Sequence, residues 1–157
     1  MEQTDYLIRG TAGNNMLRFL AVVTTRTAEE ARKRHDTLPT ATAALGRALT
    51  ATVLMGSMLK GNEKIFIQIL GNGPLGKILT DADTNGQNPY VHLPLNQWNK
   101  LDVAGAIGGG QMVVLKDVGL KEPYRGAVPL ISGELGEDFA YYFTKSEQTP
   151  SAVHLGV

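Results

Sequence analysis

The pattern of apolar and polar positions is most unusual between residues 40 and 61, TATAALGRALTATVLMGSMLKG, where Arg47 is the only charge before Lys60. Under the helical period Leu45, Leu49, Thr52, Gly56 and Leu59 gather on one side. Arg47, Leu54 and Met58 take the opposite side, and Ala44, Ala48, Ala51 and Met55 lie between. No charged face is left for water, so such a helix must be covered all round. Its hydroxyls at Thr40, Thr42, Thr50, Thr52 and Ser57, with Arg47 inside, suit a protein interior better than lipid. The pattern predicts a central helix about 30 Å long, begun near Pro39 and sandwiched between sheets. Gly46, Gly56 and the alanines allow close approach, and Arg47 needs a carboxylate or helix-end carbonyls if it is buried.

Elsewhere the period is two. DYLIRG, a TAGNN turn and MLRFLAVVTT read as a hairpin, with Leu17, Phe19, Ala21 and Val23 sharing a face. TAEEARKRHD reads as a short helix, with Thr27 as cap, Glu30 closing a capping box and its cations late, near the negative end of the dipole. KIFIQIL (64–70) is a strand with Ile65, Ile67 and Ile69 on one face and Phe66 and Leu70 on the other. GNGP breaks it, GKILTDA resumes, and Asn85-Gly86 turns the chain into NPYVHLP. LDVAGAIG predicts a short helix. QMVVLKD and PYRGAVPL form a strand pair with Gly119 near the turn. LGEDFAYYFTKSEQ is a helix with its acids early and Phe139, Tyr142 and Phe143 on one face. The class is α+β.

Composition narrows the function. The 157 residues suit one domain, with no repeat and no linker-like stretch. Fifteen basic and fifteen acidic residues balance, which argues against a nucleic-acid partner. Cysteine is absent, so no disulfide, thiol nucleophile, Cys-ligated zinc or redox switch exists within the chain. MEQTDYLIRG has no apolar core of a signal peptide, and the expected location is cytoplasmic. The run SAVHLGV at the end is strand-like with no stop after it, the pattern of a fragment.

Candidate chemistry is sparse. GNGPLGK (71–77) lacks the spacing of a phosphate loop, and Pro74 removes a donor, so a tight turn is favoured. His35, His92 and His154 have no metal-ligand spacing. Asp81 and Asp83 read as solvated turn residues rather than a shared cation site. Serines 57, 132, 146 and 151 lie in no nucleophile elbow. YRG (124–126) and SEQTP (146–150) have no evident reason. No catalytic constellation emerges, and no enzyme is expected. Phe66, Leu70, Met112 and Val114 are expected on a second sheet face that another segment or a partner must cover, the mark of an interaction site. A small-ligand enzyme using Gly71–Lys77 and a purely structural oligomerisation domain stay open beside it.

RHDTLPTATAALGRALTATVLMGSMLKG, IQILGNGPLGKILTDAD and YRGAVPLISGELGEDFAYYFTKSEQTPSA, in that order, resemble the heat-shock protein 33 family of redox-regulated bacterial holdase chaperones. The resemblance runs from about Asp5 to the end. It implies a three-layer β/α/β sandwich of mixed sheets around the buried helix at about residues 40–60. Residues 1–157 would be a single N-terminal domain for client binding and dimerisation, lacking its last strands, the linker and a four-cysteine zinc module. The implied activity is ATP-independent binding of unfolding proteins, with a homodimer as the assembly and neither nucleic acid nor membrane as partner. No cofactor is implied for this chain; zinc belongs to the full-length family protein. Phe66, Leu70, Met112 and Val114 are then the expected client contacts, and the flexible Met112 suits adaptable binding.

Overall fold

In the computed structural model of the chain, residues 4–84, 91, 92 and 101–156 are described. Strands β1 (Tyr6–Ala12) and β2 (Leu17–Val23) form an antiparallel hairpin. Gly13, Asn14 and Asn15 turn it at φ values of 57°, 53° and 67°, which glycine and asparagine accept most readily. Helix α1 (Thr25–His35) starts earlier than the pattern predicts, and Thr27 does not cap it. The carboxylate of Asp5 does so from outside, accepting hydrogen bonds from Arg26 N–H (2.9 Å), Thr27 N–H (2.8 Å) and Thr27 Oγ1 (2.7 Å). Glu29 and Glu30 instead pair with Arg32 and Arg34 along the helix surface.

The central helix α2 runs from Pro39 to Gly56 with the proline in its first turn, and twelve of its 18 residues are buried. It lies between the hairpin and a five-stranded sheet in the order β5-β4-β3-β6-β7. That sheet comprises β3 (Lys64–Gly71), β4 (Lys77–Asp83), β5 (Val91–His92), β6 (Gly110–Asp117) and β7 (Tyr124–Pro129). Every described pairing is antiparallel, where mixed sheets are expected. The turn at Asn85-Gly86 lies outside the described residues.

Small residues set the spacing as the sequence implies. A Cβ on Gly56 would stand 2.9 Å from Asp83 O and 3.0 Å from Ala82 Cβ, so the helix meets β4 at backbone contact. The hydroxyls of Thr52 and Thr80 join across that contact at 2.6 Å, and Thr52 Oγ1 donates to Ala48 O at 2.7 Å. Both residues are buried, and the bonds offset the cost of drying two hydroxyls. Toward the hairpin, Thr24 and Thr50 make the same kind of contact at 2.6 Å.

Helix α3 (Val103–Ile107) packs against α2. Helix α4 (Gly136–Lys145) lies along β7 and inserts Phe139 and Tyr142, both fully buried. Each ring contributes on the order of 2–3 kcal/mol of burial. Residues 151–156 form no strand, contrary to the apolar pattern, since no ladder partner lies beside them among the described residues. Leu155 is nonetheless buried, and Val153 packs against the core.

Candidate functional site

The glycine-rich loop cannot cradle an anion, because its donors are already used. Gly71 N–H bonds Gly76 O, Asn72 N–H bonds Gly109 O, Gly73 N–H bonds Ile107 O, Leu75 N–H bonds Ala106 O and Gly76 N–H bonds Gly73 O, all within 2.8–3.0 Å. Its glycines exist for contact: a Cβ on Gly71 or Gly73 would fall 2.1 Å or 2.5 Å from carbonyl oxygens of α3. No three potential metal ligands among His, Asp and Glu converge among the described residues. Asp81 and Asp83 lie within β4, not in a turn. Arg47 finds the carboxylate it needs in Glu134 at 2.5 Å, although its Nε is buried without a partner.

The YRG and SEQTP segments meet one another. Lys116 Nζ contacts Glu147 Oε1 at 2.6 Å, and Tyr142 OH donates to the same oxygen at 2.5 Å. Tyr124 OH lies 3.1 Å from Ser146 Oγ. Gly126 leaves room for this meeting, since a Cβ there would fall 2.4 Å from Ser146 Oγ and 3.0 Å from the Tyr142 ring. Burial pushes the Tyr142 phenol far above its ordinary pKa, and the Glu147 carboxylate adds to the rise. Burial also works to raise Glu147, but hydrogen bonds from Lys116 and Tyr142 and the Lys116 charge hold it below the usual value. The cluster ties the segment after α4 to the sheet.

Asp138 performs a similar task in the loop before α4. Fully buried, its carboxylate accepts from Ile131 N–H (2.6 Å), Ser132 N–H (3.0 Å), Gly133 N–H (3.0 Å) and Leu135 N–H (3.1 Å). Those bonds hold Leu135 at φ 55°, a region that leucine rarely enters. Both clusters shape the fold; neither offers a nucleophile or a base to a cleft.

The four expected contact residues divide into two pairs. Met112 pairs with Ile69 and Val114 with Ile67, so both share the core face with the β3 isoleucines. They have no accessible surface. This corrects their expected place on the second face, for a buried side chain cannot touch a client while the fold is closed. Phe66 and Leu70 do lie on the second face, beside Leu115 and Gln111, and are half-buried.

Among the described residues an open apolar surface lies elsewhere, on the hairpin. Register places Tyr6 opposite Val23, Ile8 opposite Ala21, Gly10 opposite Phe19 and Ala12 opposite Leu17, so all eight share one face. That face points away from the core: Tyr6 is 55 % exposed, Ile8 52 %, Leu17 65 % and Phe19 51 %. With Met16 in the turn, they are five of the ten large exposed apolar residues among those described. The other face carries Leu7, Leu20 and Val22, half-buried toward α2, then Arg9, Thr11 and Arg18 beyond them. The usual order is inverted, with the wholly apolar face outward. Alternation in the sequence reveals both faces; it does not reveal which one meets α2.

By fold and surface this is a β/α/β domain that bears, among its described residues, an open apolar sheet face. The chain belongs to the Hsp33 protein family, whose family model matches residues 5–157. It is 53 % identical to a 33 kDa chaperonin of Brevibacillus brevis over 98 % of this chain and 55 % of that protein. The corresponding figures for a 33 kDa chaperonin of Geobacillus kaustophilus are 54 %, 98 % and 54 %. The crystal structure of the 33 kDa chaperonin (heat shock protein 33 homologue) of Thermotoga maritima matches with a TM-score of 0.79 and 43 % identity, over 93 % of this chain and 52 % of that one. The chain therefore spans about half the length of the relatives it matches. Among the described residues no helix is long and apolar enough to cross a membrane.

Proposed function

We propose that this chain is the client-binding part of a holdase chaperone, which shields apolar segments of unfolding proteins without ATP. The observation that carries the reading is the outward apolar face of β1 and β2, a surface of the kind that marks interaction sites. The relatives' name of 33 kDa chaperonin supports it. The occupied donors of the Gly71–Gly76 loop remove the main support for a phosphate-ligand enzyme. Phe66 and Leu70 form a second, half-covered contact region on the far side of the five-stranded sheet.

Redox control and zinc are assigned to a C-terminal module outside residues 1–157. Without cysteine, residues 1–157 supply none of the ligands of a four-cysteine zinc module. The proposal includes a cytoplasmic homodimer. Light scattering of a thermally unfolding client, with no ATP present, tests the activity. Suppression near stoichiometric ratio is the expected result; undiminished scattering beside the folded protein would refute the reading.

A further inference from the structure

Unfavourable features gather at one joint of the fold, where α2 meets the loop before α4. Arg47 is the single charge within α2, and it bonds Glu134 of that loop through Nη1. Its Nε has no acceptor, alone in this among the buried side-chain nitrogens and oxygens of the described residues. The chain itself encloses that nitrogen, so no further segment can reach it to supply an acceptor. Next to Glu134, Leu135 stands at φ 55°, a strained region for its side chain. Asp138 is fully buried, and its partners among the described residues are four backbone N–H groups and no cation. Elsewhere α2 is satisfied, its Thr50 and Thr52 hydroxyls meeting those of Thr24 and Thr80.

A buried guanidinium with an unused donor is less favourable than an apolar side chain packed in its place. Opening the joint returns the guanidinium to water and frees Leu135, so local opening recovers both costs. We propose, resting on the client-binding reading above, that this joint is a gate. The 131–135 loop parts from α2 ahead of the rest of the fold and offers Leu135 and Phe139 to an unfolding polypeptide. Both side chains belong to the core and have no accessible surface while the joint is closed. The Arg47–Glu134 pair sets how readily it opens.

The test follows amide hydrogen exchange at Ile131, Ser132, Gly133 and Leu135, whose N–H groups Asp138 holds, against Ile67 and Ile69 in β3. In the parent protein the loop exchanges faster than β3 by about tenfold or more. Arg47→Met keeps the unbranched apolar stem without the charge. It slows loop exchange about tenfold and weakens suppression of light scattering by a thermally unfolding client. Glu134→Gln leaves the cation uncompensated and moves both readouts the other way. An Arg47→Met variant that exchanges faster, or fails to fold, overturns the inference, since the pair would then only brace the structure. So does slowed loop exchange with client suppression unchanged. Either outcome, beside a parent that suppresses scattering, sinks the gate alone. A folded parent that suppresses nothing sinks the client-binding reading, and the gate with it.

Discussion

The ring of Phe19 covers Gly10 directly across the β1–β2 ladder, so closely that a Cβ on Gly10 would lie 2.4 Å from Phe19 Cζ. The glycine lacks a side chain of its own and the aromatic ring fills its place, a cross-strand pairing that supports strand register. The outer side of the same ring remains half exposed. Phe19 therefore supports the hairpin and also contributes to its open apolar surface. Phe19→Ser is expected to cost about 1 kcal/mol in stability and to lower fluorescence of a bound apolar dye clearly. An unchanged dye signal from the folded variant would place the sticky surface elsewhere.

Asp5 joins β1 to the first turn of α1. Burial acts to raise its pKa, but bonds from Arg26 and Thr27 and the Arg26 charge outweigh that and hold it below 3.8. A lowered carboxylate contributes stability above its unfolded value, and the contribution fades as pH falls through the folded one. Asp5→Ala should cost about 1–2 kcal/mol at neutral pH. The gap between variant and parent, measured by urea unfolding, should narrow below about pH 4. A gap constant down to pH 2 would mean that the charge of Asp5 plays no part.

Glu147 is the acceptor shared by Lys116 and Tyr142. Its value is also lowered, so its contribution is present above 4.5 and lost as pH falls through the folded value. Glu147→Ala leaves an ammonium and a phenol without their partner and should cost about 1–3 kcal/mol. Because the cluster pins the segment after α4, residues 146–156 should become protease-sensitive in that variant before the sheet does. Simultaneous digestion of the whole chain would contradict this order.

Asp138→Asn is nearly isosteric but confronts four backbone donors with an amide that can accept fewer of them. Loss of about 2–4 kcal/mol is expected. A thermal melt within error of the parent would show that the loop holds its shape without the carboxylate.

The central helix was legible because a helix with no polar face has one place to go, and Pro39 and Gly56 sit where that place requires them. Strands and helices were legible for the same local reason, periodicity. What escaped is long-range. Met112 and Val114 belong to the core because of their register against Ile69 and Ile67, which no local pattern contains. Thr27 and Glu30 satisfy a capping rule on paper, yet Asp5, far upstream, holds the helix start. YRG and SEQTP explain each other only when β7 and α4 lie side by side. The outward face of the hairpin escaped most completely, since alternation equates apolar with inward and here the packing of β2 on α2 inverts it.

The most direct test of the account is hydrogen–deuterium exchange of the protein with and without a thermally unfolded client. The account predicts added protection over residues 6–12 and 17–23, the two strands of the hairpin. Protection confined to the five-stranded sheet around Phe66 and Leu70, with the hairpin exchanging as in the free protein, would contradict it.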